Sequence, residues 1–198
     1  MDSITDRPFK PTRQQLLDAV HKTLPDLLAP DLTILFCGIN PGLYTAAIGH
    51  SFGRPGNRFW PALFAGGLTP RLYSPFEDRA LLELGFGLTN LVSRATARAD
   101  ELTADEIRAG ALRLRRKLAR YRPRICAIVG IGAYRVAFNR PRATLGLQEE
   151  MIHDTRLFIL PNTSGLNAHY QPADLARRFA ELRALASSSA MKRRKVIE

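Results

Sequence analysis

Apolar residues follow two kinds of pattern along this chain. Short unbroken runs occur at Thr33-Ile34-Leu35-Phe36-Cys37, Ile125-Cys126-Ala127-Ile128-Val129 and Leu157-Phe158-Ile159-Leu160. A strand buried on both faces reads this way. Between the runs, apolar residues recur at helical spacing. Thr12-Arg13-Gln14-Gln15 is a capping box, and it predicts a helix to about Leu24 with Leu16, Leu17, Val20 and Leu24 inward. Arg58 to Ala65 reads as a helix burying Phe59, Trp60, Leu63 and Phe64. Pro70 and Pro75 then break the chain, and Glu77 to Leu84 predicts a short helix. A second capping box, Thr103-Ala104-Asp105-Glu106, opens a long helix to about Tyr121 with Ile107, Ala111, Leu114, Leu118 and Tyr121 as its core stripe. Pro172 begins a final helix with Leu175, Phe179, Leu182 and Leu185 inward. Gly85-Phe86-Gly87-Leu88-Thr89-Asn90-Leu91-Val92 is ambiguous; as a strand, its end presents Thr89 and Asn90. Apolar strands alternating with amphipathic helices predict an α/β fold: a three-layer α/β/α sandwich around a short, mostly parallel sheet.

Length and composition narrow the class. The 198 residues fit one compact domain, here divided into an N-terminal extension with a short helix (1–30), a main domain (31–186) and a basic, disordered tail (187–198). No apolar run is long enough to span a bilayer, and the N-terminus has no signal-peptide pattern, so a cytoplasmic protein without a membrane partner is expected. Cys37 and Cys126 both fall in predicted buried strands, and with only two thiols a cluster or structural zinc site is not expected. The four histidines lack paired ligand spacing, so no metal is expected.

Charge changes the picture more. Lys and Arg number 29 against 18 Asp and Glu, a net charge of +11. Residues 191–198 hold four basic residues and one acidic, so removing them lowers +11 by three, to +8. The long helix carries Arg108, Arg113, Arg115, Arg116, Lys117 and Arg120. Such an excess favours a polyanionic partner, because each cation that meets a phosphate releases counterions; a merely solvated basic face is the alternative.

In parallel α/β sheets ligands sit at the carboxyl ends of the strands. Here those ends carry Asn40 with Gly42, Asn90 if its segment is a strand, Gly130 with Gly132, and Asn162 with Ser164 and Gly165. Taken alone, Gly38-Ile39-Asn40-Pro41-Gly42-Leu43 is an ordinary turn; a second asparagine in an equivalent place makes it a candidate site. A rim of amides suits a neutral heterocycle better than a phosphate or a metal. Gly130-x-Gly132 is followed by Arg135 where a dinucleotide fingerprint needs its third glycine, and no Walker loop or Gly-x-Ser-x-Gly elbow is present.

Gly38-Ile39-Asn40-Pro41-Gly42-Leu43 with Asn162-Thr163-Ser164-Gly165-Leu166, supported by Pro55-Gly56-Asn57-Arg58-Phe59-Trp60 and Gly87-Leu88-Thr89-Asn90-Leu91-Val92, resembles the mismatch-specific uracil/thymine DNA glycosylase family of the uracil-DNA glycosylase superfamily. The likeness runs from about Asp31 to Leu185. It implies a uracil-DNA glycosylase-like fold and a monofunctional hydrolase that removes uracil, with thymine or ethenocytosine as further candidates, from mispairs with guanine. Double-stranded DNA is the implied partner, with no cofactor and a monomeric state. By the same resemblance Asn40 holds the attacking water, and Asn162 stands at the carbonyl edge of the base. Ile39 offers backbone contacts and Phe52 stacks on the flipped ring, while Gly42, Thr45 and Ser164 complete the substrate-binding set. His50 either lines the pocket or caps a turn, and Asn90 either reaches the pocket or buttresses it. Leu166 is the implied wedge in the duplex, and Gly165 and Asn167 meet the widowed guanine. The alternative reading is a non-catalytic nucleic-acid-binding module on the same scaffold.

Overall fold

The computed structural model describes residues 10–194 apart from Ala168. Five strands form one sheet: β1 (Ile34–Gly38), β2 (Phe86–Asn90), β3 (Ile125–Val129), β4 (Gly146–Ile152) and β5 (Thr155–Leu160). Their order is β2-β1-β3-β5-β4. β1 runs parallel to β2 and β3, β3 runs parallel to β5, and β4 is the antiparallel edge. Helices α1 (Arg13–Asp18), α2 (Leu43–Ile48), α3 (Phe59–Ala65), α4 (Ala80–Glu83), α5 (Ala104–Tyr121), α6 (Ile131–Ala137) and α7 (Pro172–Arg194) complete the fold.

Because side chains alternate along a strand, each central strand feeds two cores. Ile34 and Phe36 of β1 join Phe59 and Leu63 of α3 and Leu175, Phe179 and Leu182 of α7 on one face. Leu35 and Cys37 join Ile107, Leu114 and Leu118 of α5 with Ala133 and Tyr134 of α6 on the other. This double burial is why the three runs are apolar without a break. Burial pushes the Cys126 thiol up to about 12 and raises that of Cys37 well above its ordinary value, so both are un-ionised packing groups.

Several expectations are corrected. The Thr12 capping box forms, but α1 ends at Asp18 and continues as a tight turn over Ala19–His21. Leu17 and Val20 face solvent, while Ala19 and Leu24 are buried. Phe64 is 46% exposed, because α3 packs only one side onto the sheet. Residues just before 31 also touch the main domain: Leu27 and Leu88 exchange backbone hydrogen bonds of 2.8 and 2.9 Å, and Asp26 meets Lys117 at 2.6 Å. The final helix runs to Arg194, so the start of the segment read as a disordered tail is helical; its stretch of Ala, Leu and Ser holds no Pro or Gly to stop a helix. Residues 195–198 lie outside the described residues.

Two helices and a strand were not apparent in the sequence. α2 and α6 are only 6 and 7 residues long, too short for a periodic signal. β4 turns Leu147 and Met151 outward, at 51% and 50% exposure. It turns Glu150 toward the Tyr134 hydroxyl, which donates to it. Its apolar pattern therefore contradicts its position.

Candidate active site

The carboxyl ends of β1, β2, β3 and β5 open into a cleft of about 140 Å³. That is well below the roughly 300–1,000 Å³ of sites for larger ligands. Its walls include Ile39, Asn40, Gly42 and Thr45 after β1, Asn90 at the end of β2, and Asn162 with Ser164 after β5. The parallel register pairs Gly38 with Asn90. A Cβ on Gly38 would lie 2.5 Å from Asn90 Oδ1, so Asn90 occupies the space that a glycine on β1 leaves free.

The amide of Asn40 is oriented by the chain around it. Its Nδ2 donates to Thr96 Oγ1 at 2.7 Å, Arg94 O at 3.0 Å and Pro41 O at 3.2 Å. The Thr96 hydroxyl spends its single proton on Arg98 O at 2.7 Å, so toward Asn40 it acts as acceptor. Three acceptors around one end assign that end as nitrogen. Asn40 Oδ1 is left, with no hydrogen bond from a described residue, as an acceptor in a half-buried position lining the cleft.

Asn162 is held the opposite way. Its Oδ1 accepts from Ser164 N–H at 2.9 Å in an Asx turn, which leaves Nδ2 without a partner among the described residues. Across one cleft, then, one amide offers an acceptor and the other a donor.

The ring of Phe52 forms a flat wall. It stacks on Phe59 with centroids 3.9 Å apart and 13° between planes. Its φ is +55°, a left-handed conformation unusual for an aromatic residue and maintained here by the packing. Leu166, 69% exposed, stands at the rim. Gly165 passes so close to the loop after Phe52 that a Cβ on it would meet Gly56 O at 2.6 Å.

Not every residue named from sequence comes to the cleft. His50 lies outside its lining: Nδ1 is 3.0 Å from Asp78 Oδ2 and the ring packs on Phe76, with centroids 4.9 Å apart. Asn167 turns inward, and both ends of its amide are occupied, Nδ2 by Asn162 O at 2.9 Å and Oδ1 by His169 N–H at 3.2 Å. Its carbonyl accepts from Arg58 at 2.6 Å, so Asn167 braces its loop rather than presenting groups outward. Conversely Leu24, Ser51 and Thr96 line the cleft without having been singled out. Thr96 reaches Asn40 only through tertiary structure, and no spacing in the sequence links them.

Electrostatically the cleft is nearly bare. Among the described residues it is lined by no Asp, Glu, His, Lys, Cys or Tyr, and the charged residues lining it are Arg54 and Arg98. Arg98 is paired with Asp100 at 2.7 Å. Arg54 has no such acidic partner among the described residues. Gly130 and Gly132 line a separate groove that shares Ile39 and Asn162 with the cleft. Among the described residues no group of His, Cys, Asp and Glu is arranged to hold a metal ion, and no helix is long and apolar enough to cross a membrane.

A three-layer α/β/α fold with an amide-lined cleft at its strand ends defines an α/β protein suited to an uncharged, flat, hydrogen-bonding ring. The family model for the uracil DNA glycosylase superfamily matches residues 25–183, and the chain belongs to that superfamily. Its members are DNA glycosylases, hydrolases that act on DNA in repair. Membership therefore indicates uracil DNA glycosylase activity in general.

Proposed function

We propose that this protein is a monofunctional glycosylase that hydrolyses the N-glycosidic bond of uracil mispaired with guanine in double-stranded DNA, leaving an abasic site in base excision repair. The observation that carries the reading is the opposed polarity of the Asn40 and Asn162 amides across a cleft that no acidic side chain of the described residues lines.

A base within the duplex is out of reach, so the nucleotide turns outward at a cost of a few kcal/mol, least for a mispair. Leu166 fills the vacated stack. Phe52 takes the ring against its free face, base–aromatic stacking being worth roughly 1–3 kcal/mol. As the C1′–N1 bond breaks, its electron pair passes to the base and positive charge develops on the sugar. Asn162 Nδ2 donates to the developing base anion with little reorganisation, since Ser164 already holds its other end. Asn40 Oδ1 accepts from a water whose oxygen then bonds to C1′ while its proton leaves to solvent. With no carboxylate among the described residues in the cleft to deprotonate that water, attack follows bond breaking. Turnover is expected to be slow. No lysine among the described residues lines the cleft, in keeping with hydrolysis rather than strand cleavage through a Schiff base.

The test is a uracil·guanine duplex incubated with the protein and then treated with hot alkali. Cutting at the uracil is expected, and Asn40→Ala is expected to lose most of it while still binding the duplex. No cutting by the wild type on uracil, thymine or ethenocytosine mispairs, with equal binding to undamaged duplex, would overturn the reading in favour of a binding module.

A further inference from the structure

Arg58 is the residue that joins the two halves of the cleft's rim. Its backbone N–H donates to Thr163 O at 2.9 Å. Its guanidinium donates through Nη1 to Tyr170 O and through Nη2 to Ser164 O at 3.0 Å and Asn167 O at 2.6 Å. One residue thus gathers four carbonyls from the loop that carries Leu166. Arg58 is also the residue before α3, so its backbone leads directly into Phe59, the ring behind Phe52.

Tyr170 packs on the core and Gly165 lies against Gly56, but among the described residues no other group from outside the loop hydrogen-bonds to it. Leu166 is mostly in solvent and anchors nothing. Its remaining hydrogen bonds among the described residues are internal: Ser164 N–H to Asn162 Oδ1, Leu166 N–H to Ser164 Oγ at 3.3 Å, Asn167 N–H to Ser164 O at 2.9 Å, Asn167 Nδ2 to Asn162 O, and His169 N–H to Asn167 Oδ1. A planar guanidinium with donors in a fixed fork suits a task that needs several carbonyls held at set angles, which the single ammonium of lysine cannot reproduce. A wedge that is already shaped enters a duplex without first losing conformational freedom.

We infer that Arg58 is a positioning residue that presets the Leu166 loop for insertion into DNA and locks it to the Phe52–Phe59 platform. The inference rests on the glycosylase reading above. It makes a distinction that a merely structural arginine would not: Arg58 should matter where a base must be levered out of a stack, and much less where the base is already unpaired.

The experiment measures single-turnover cleavage of the same uracil in a guanine-paired duplex and in a bubble of unpaired bases. The proteins are wild type, Arg58→Lys, Arg58→Met, Leu166→Ala and Arg58→Met/Leu166→Ala, with thermal melts of each. Arg58→Lys and Arg58→Met are expected to lose ~10–100-fold more rate on the duplex than on the bubble, the scale of a misplaced positioning group. The double variant is expected to be no worse than Arg58→Met, because both changes disable one device. Equal losses on the two substrates, no loss on either, or multiplicative losses in the double variant would overturn the inference. Should the arginine variants melt below the assay temperature, Gly165→Ala decides the matter, since its Cβ would meet Gly56 O at 2.6 Å and so shift the loop against the Arg58 side of the rim without removing the guanidinium. It must then show the same duplex-selective loss, or the inference fails. If the wild type cleaves neither substrate, it is the glycosylase reading that fails.

Discussion

The amide of an asparagine can show a ligand either end, and its neighbours choose. At Asn40 the choice is made by Thr96, Arg94 and Pro41, which all present acceptors; at Asn162 it is made by one N–H two residues on. Reversing the second choice is a sharp test of charge stabilisation. Asn162→Asp keeps the Asx turn, because the carboxylate still accepts from Ser164 N–H, but it replaces the donor with an anion facing the leaving group. Single-turnover cleavage is expected to fall by about 10²–10³-fold, the range seen when one donor to a developing anion is removed, while affinity for abasic product falls far less. Unchanged cleavage would show that Nδ2 does not face the departing base.

Among the elements, the segment after β2 is the one that reaches furthest in its effects. It returns past the end of β1, where Thr96 N–H donates to Pro41 O at 3.2 Å and Leu43 N–H to Thr96 O at 3.1 Å. It is pinned at both ends. Arg94 forks onto Glu106 at 2.8 and 3.1 Å, and Glu106 is also the third residue of the α5 capping box. Hydrogen bonding from Arg94, then from the Thr103 backbone, lowers the Glu106 carboxyl to about 2. A carboxylate depressed in the folded state stabilises fully above its ordinary value of 4.5 and loses that contribution as pH falls through about 2. Urea melts between pH ~2 and ~6 should therefore show stability declining toward acid in the wild type, and a shallower decline in Glu106→Gln. The same variant should cleave more slowly at neutral pH, because Arg94 O is one of the acceptors that orient Asn40. Parallel acid limbs in the two proteins would remove Glu106 from this account.

For the whole molecule, the surplus of positive charge is less free than its total suggests. Along α5, Arg108 pairs with Asp105 and Lys117 with Asp26. Arg113 donates to Leu91 O, Arg115 lies over Phe138 and Arg120 over Tyr121. The helix also points its C-terminal half away from the cleft, since Tyr121 O accepts from Asp31 N–H, just ahead of β1, whereas the cleft lies beyond the other end of that strand. Arg54 is different: exposed, at the cleft, and without an acidic partner among the described residues. In salt titrations of binding to a uracil·guanine duplex, Arg54→Gln is expected to reduce the slope of log K against log salt by about 0.9, one phosphate contact. Arg116→Gln/Arg120→Gln is expected to leave that slope unchanged. The reverse result would move the DNA onto the long helix.

By itself the sequence determined the parts in which neighbouring residues bear the whole signal. The three unbroken apolar runs read as strands covered on both faces, and Thr103 with Glu106 set where α5 begins, since a capping box is complete within four residues. Asn40 and Asn162 were legible as candidates because each follows such a run. Tertiary structure decided which atom each amide presents, because Arg94 and Thr96 lie more than fifty residues from Asn40 along the chain. It gave His50 Asp78 and Phe76 as partners, and it turned Asn167 inward onto its own loop. It also made Arg58, one polar residue beside an apolar helix, the junction of two loops. Hydrophobic burial is written locally as pattern; hydrogen-bond direction belongs to pairs, and a pair exists only once the chain has brought its members together.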